Sequence, residues 1–198
     1  MPVQAAAGGF RPRPSCFRAA RPRGQEGRVT DSQPIRIVLS NLVFGRAHLL
    51  DLHLPAGWVL QRGFSNPEIH ASHTRRGVSW VVAGDAWYVL RHDTAPWMLE
   101  FHLQVRARPY ARPGEAQQTT VAGHTAWWRF LRLRRGLPWR RRETPGVELA
   151  WYCPVTERAF RLRAVGRVPA EIFPALLHAW QQSQCHRAGA PLATHQAP

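Results

Sequence analysis

From Ile35 onward, apolar and polar residues alternate with a period of two, segment after segment, as half-buried strands require. Ile35, Ile37 and Leu39 alternate with Arg36 and Val38, and Leu50, Leu52 and Leu54 with Asp51 and His53. Pro55 and Gly57 end that second run, and residues 58–62 follow as a short strand. Residues 68–74 and 78–82 predict a hairpin across Arg75-Arg76-Gly77, where glycine supplies a positive φ. Ala83-Gly84-Asp85 predicts a turn into a strand over 86–91. The clearest segment is 97–108, which sets Trp97, Leu99, Phe101, Leu103, Val105 and Ala107 on one face. Met98, Glu100, His102, Gln104, Arg106 and Arg108 fall on the other. Pro113-Gly114 suits a type II turn, so 109–118 reads as a loop.

Farther on, His124, Ala126, Trp128 and Phe130 share a phase, while Leu131 and Leu133 take the opposite one. Either a bulge shifts the phase near Phe130 or both faces are covered there. Val147, Leu149, Trp151 and Cys153 point inward, Pro154 to Glu157 turn the chain, and Phe160, Leu162 and Ala164 return. Helical spacing occurs at the end, where Ile172, Phe173, Leu176, Leu177 and Trp180 form a stripe between Ala170 and Gln184. Pro174 either sits in the first turn of that helix or kinks it. The pattern predicts an α+β domain over 35–186: one curved, mostly antiparallel sheet with a packed carboxy-terminal amphipathic helix.

Residues 1–34 show no such periodicity. Pro2, Pro12, Pro14, Pro22 and Pro34 alternate with glycine, alanine and arginine, so this stretch is expected to be a disordered tail, as is 187–198. No apolar run reaches the ~18 residues of a membrane span, and no h-region of a secretory signal is present. Cys16, Cys153 and Cys185 form no CxxC pair, which argues for a reducing compartment, the cytoplasm by default.

Charge changes the picture. All 27 basic residues are arginine, and the net charge is +15. Residues 1–28 carry +5 and residues 129–142 carry +7, so the remaining chain is nearly balanced. Within 129–142, Arg132, Arg134 and Arg135 end a strand, and Gly136-Leu137-Pro138-Trp139 leads into Arg140, Arg141 and Arg142. Guanidiniums match phosphate oxygens bidentately and an exposed Trp139 can stack on a base. These seven residues are the expected polyanion-binding site, with nucleic acid or an acidic protein surface as partner.

The order of features resembles the PsbP-like fold group. The likeness is carried by Leu52-His53-Leu54-Pro55-Ala56-Gly57-Trp58, a long central strand, Gly123-His124-Thr125-Ala126, Trp151-Tyr152-Cys153 and the closing helix. It spans about residues 48–184 and departs from the group in lacking extra helices before the last strands. The resemblance implies a sheet flanked by helices and a binding or accessory role.

Catalytic constellations are not found. Gly-x-Ser-x-Gly, HExxH, P-loop and GxGxxG motifs do not occur. His70 and His73 share a face on a helix but not on a strand, and they lack further ligands at metal spacing. Cys153 could pair with His124 or His178 as nucleophile and base, but its inward phase predicts a small buried hydrophobe. Cys185 ends the helix. The expectation is a non-enzymatic protein without metal or cofactor, with a polyanion as partner. The alternatives are a carrier of an apolar ligand between sheet and helix, and an accessory assembly subunit.

Overall fold

The computed structural model describes residues 33–41, 45–74, 77–135 and 142–186. Nine strands and a helix follow in chain order: β1 (Gln33–Asn41), β2 (Gly45–Leu54), β3 (Trp58–Thr74), β4 (Gly77–His92), β5 (Met98–Arg106), β6 (Gln117–Val121), β7 (His124–Arg135), β8 (Arg142–Cys153), β9 (Arg158–Val165) and α1 (Ile172–Gln181). The α+β expectation holds in its coarse form, an antiparallel sheet protein with one short helix. The sheet is not single, however. β1 and β2 pair alone, and the other seven strands run in the order β3-β4-β5-β9-β8-β7-β6.

Burial explains the division. Leu99, Phe101, Leu103 and Val105 of β5, Phe160, Leu162 and Ala164 of β9, and Val147, Leu149 and Trp151 of β8 give the large sheet one apolar face. That face is covered by Ile37, Leu50, Leu52 and Leu54 of the small sheet and by Phe173, Leu176, Leu177 and Trp180 of α1. The ring centroid of Trp180 lies 5.7 Å from that of Phe101. A register shift between Ile37 and Val38 places Leu49 as an extra residue of β2, which is why Leu49 and Leu50 are both buried.

One expected turn is absent from the described residues. Residues 58–74 form one strand, and 77–92 another, with no turn at Ala83-Gly84-Asp85. Pro67 and Gly84 lie directly opposite each other, and β3 is an edge strand, where a missing N–H is tolerated. Residues 68–74, with His70 and His73, belong to β3 and not to a helix. Phe130 and Leu131 also take opposite faces, because the β7–β8 ladder runs without a shift; Leu131 is buried and Phe130 is exposed. Pro174 sits in the first turn of α1 and does not kink it. β1 begins at Gln33, inside the expected tail.

The loop from β5 to β6 must cross β9, β8 and β7, since β6 is the far edge. It crosses the outer face: Tyr110 receives the guanidinium of Arg106 at 3.6 Å and that of Arg161 at 4.6 Å, and Ala116 packs on Trp127 and Ala150.

Candidate metal centre

Of the arginine ribbon, the side chains of Arg129, Arg132 and Arg134 are described. Arg129 faces the outer side of the sheet, where its Nε donates to Glu148 at 3.0 Å and its other end pairs with Glu115. Arg132 and Arg134 are exposed on the opposite side and share one carboxylate, Glu143, at 3.7 and 3.3 Å. Arg135 and Arg142 are cross-strand partners at the end of the ladder. Trp139, Arg140 and Arg141 lie outside the described residues. Arg132 and Arg134 of the expected cluster thus share one side of β7 and one carboxylate, while Arg129, which precedes that cluster, faces the other side and pairs with Glu115 and Glu148.

A different constellation forms at the other end of β7 and β8. Ala122 and Gly123, with φ of 50° and 78°, make the tight β6–β7 hairpin turn and deliver His124 to the first position of β7. His124 has the inward phase of Ala126 and Trp128, because Ala126 and Trp128 stand opposite Trp151 and Leu149. Cys153 closes β8 on that same face, just before the 154–157 turn. The third contributor follows α1. Ser183 Oγ accepts the His53 N–H at 3.0 Å, and Gln184 exchanges two backbone hydrogen bonds with Asp51 at 2.9 and 3.0 Å. These contacts fasten the segment after the helix to β2 and bring Cys185 and His186 against Cys153.

One nitrogen or sulfur from each of His124, Cys153, Cys185 and His186 lies within 4.8 Å of all the others. His186 Nδ1 is 3.5 Å from His124 Nε2, 3.4 Å from Cys153 Sγ and 3.3 Å from Cys185 Sγ. A tetrahedral zinc ion with Zn–N of ~2.0–2.1 Å and Zn–S of ~2.3 Å has ligand–ligand edges of about 3.3–3.8 Å by geometry alone. The His186 distances match such edges. The two sulfurs are buried and the two imidazoles half-buried.

The thiols are not independent. A hydrogen bond from Cys185 outweighs burial and holds Cys153 down to about 4, with Thr156 and His124 acting in the same direction. Cys185, as the donor to that thiolate, is pushed far up. Trp151 Nε1 is buried beside the pair and acts on Cys185 as a donor, in the sense that favours thiolate. Arg158 stands across from Cys153 in the β8–β9 register; burial lowers its guanidinium, and negative charge on the cysteine pair opposes that. A thiolate-bearing pocket with two imidazoles suits zinc and is foreign to magnesium or calcium, which take oxygen ligands.

Sequence reasoning missed this centre. Cys153 is buried as its phase predicts, but it is not among hydrophobes alone. His124 and Cys153 each carried an inward phase at the same sheet end, which was the available signal. No family model matches the chain, and no curated protein matches it either.

Proposed function

We propose that this chain is a metal-binding α+β domain in which zinc, held by His124, Cys153, Cys185 and His186, clasps the segment after α1 to the large sheet. The observation that carries this reading is the convergence of four ligand atoms, from three separate segments, within 4.8 Å. Four protein ligands fill a tetrahedral ion's coordination, which is the arrangement of a structural site and leaves no position for substrate. Zinc titrated into the chelator-stripped chain should bind one ion per chain. Cys153→Ser and Cys185→Ser should each abolish that binding, while His178→Ala, on the exposed side of α1, should leave it intact. Unchanged binding in both serine variants contradicts the assignment.

A second reading concerns the basic ribbon, and one observation favours it. Phe130, Arg132 and Arg134 are all exposed on one side of β7, and two guanidiniums there share a single carboxylate, which leaves an excess positive charge. The partner of this side is a polyanion, nucleic acid or an acidic protein surface. Retention on heparin should fall steeply with salt, and Arg132→Gln with Arg134→Gln should reduce the log–log salt slope by roughly 2, near 0.9 per phosphate contact. Glu143→Gln should strengthen retention. Equal retention in all three chains removes the ribbon as the site. Among the described residues, a surface hollow of about 470 Å³ is lined by Pro34, Arg36, Asp51, His53 and Gln184, four of them polar or charged, which does not favour an apolar ligand there.

A further inference from the structure

We infer that the Cys-His centre is an oxidation-sensitive clasp, in which a peroxide joins Cys153 to Cys185 as a disulfide and discharges the metal. This rests on the zinc reading of the same site. The geometric basis is that the two sulfurs lie within 4.8 Å of each other and flank one imidazole nitrogen, at 3.4 and 3.3 Å. A disulfide needs an S–S separation of ~2.05 Å, so the sulfurs must approach by less than about 3 Å.

The chain can supply that movement on one side. Cys153 ends a strand held by neighbours on both sides, β7 and β9. Cys185 lies in the irregular segment after α1, tied to β2 by the two Asp51–Gln184 backbone hydrogen bonds and by the one from His53 N–H to Ser183 Oγ. Local opening of so short a bridge lies at the low-energy end of a fold's fluctuations and gives the oxidant access to the sulfurs.

The chemistry balances. One thiolate attacks a peroxide oxygen, the O–O bond breaks, and hydroxide leaves, giving a sulfenic acid. The second thiolate attacks that sulfur and expels a second hydroxide, forming the S–S bond. Two electrons pass from the sulfur pair to the peroxide. Zinc is left with two imidazoles in place of four ligands, and departs. The disulfide then links two of the three segments that the ion linked, β8 and the segment after α1, so the closure of the carboxy-terminal segment on β8 survives while the metal and its tie to β7 do not. A thiol reductant reverses the exchange and restores both thiolates for zinc.

The test uses the full chain with Cys16→Ser, loaded with zinc and treated with hydrogen peroxide. A chromophoric chelator reports released zinc, and intact-mass and peptide mass spectrometry report the sulfur chemistry. One zinc released per Cys153–Cys185 disulfide formed, with zinc uptake restored by dithiothreitol, is the expected result. Zinc retained with both thiols unmodified, or zinc lost through sulfinic and sulfonic acids without a disulfide, overturns the switch but leaves the metal centre standing. A chain that takes up no zinc before peroxide is added overturns the metal reading itself, and the switch with it.

Discussion

Glu148 sits on the outer face of the sheet at 1 % exposure, between Arg129, which donates to Oε1 at 3.0 Å, and Arg163, which donates to Oε2 at 2.9 Å. Removing the carboxylate leaves two guanidiniums, each 26 % exposed, without their shared buried partner. Glu148→Gln should therefore lower unfolding free energy by about 3 kcal/mol, read by urea denaturation. Glu143→Gln, at an exposed pair, should change it by less than about 1 kcal/mol. On the same face, His102 is buried beneath Trp87, whose ring stacks on it at 3.6 Å and 6°. Burial holds its imidazole below the usual range; the Asp85 carboxylate opposes this, and Arg163 and Arg161 reinforce it. The unfolded chain takes up that proton near pH 6.5, the folded chain only lower. Its contribution to stability is then full above about pH 6.5 and is lost as the pH falls toward the folded value. His102→Gln should flatten the acid limb of a stability-versus-pH curve, and an unchanged limb would assign the acid loss to other groups.

Among the elements, the legible ones are those whose phase is set by a single covered face. In β5, Leu99, Phe101, Leu103 and Val105 alternate inward as their spacing demands, and β8 and β9 follow the same rule. The stripe of α1 is equally plain, because its five buried residues face one core. The illegible features are pairwise. Gly84 reads as a turn until Pro67 is placed opposite it, and that pairing is a property of two strands together. The Cys-His centre is hidden for a related reason, since His124, Cys153 and the Cys185-His186 pair come from separate segments and have no local spacing to reveal them. Along the basic ribbon strand phase sorts the charges: Arg129 goes to one face, Arg132 and Arg134 together to the other. Strand packing also makes a sharp demand on β8. A Cβ at Gly146 would lie 2.5 Å from the Ala164 carbonyl oxygen and 3.0 Å from Val165 Cγ2. Gly146→Ala should destabilise by about 2 kcal/mol through forced separation of β8 and β9. Gly114→Ala, with nothing within 4 Å, should stay within about 0.5 kcal/mol of the parent. Equal effects of the two would mean that the β8–β9 contact is looser than the structure places it.

At the scale of the whole molecule, a seven-stranded sheet carries its core on one face, and a small sheet and a short helix must both be kept on it. The helix has no side-chain hydrogen bond at its amino-terminal cap and is only ten residues long. Isolated helices of that length are marginal, so its stability comes from packing and from what fastens its ends. Trp180 against Phe101 supplies the packing, and the Asp51–Gln184 bridge begins the fastening. A zinc ion at the proposed centre would complete it by joining β7, β8 and the segment after α1 at one point. Free metal at 1,000 times its dissociation constant adds about 4 kcal/mol to a fold that binds it only when native. Cobalt in place of zinc reports the ligand set directly, through tetrahedral d–d bands and sulfur-to-cobalt charge transfer. The absorption spectrum of the chelator-stripped chain titrated with Co²⁺ should show both features, saturate at one ion per chain and be erased by added zinc. An octahedral spectrum without thiolate charge transfer would contradict the His124, Cys153, Cys185 and His186 centre.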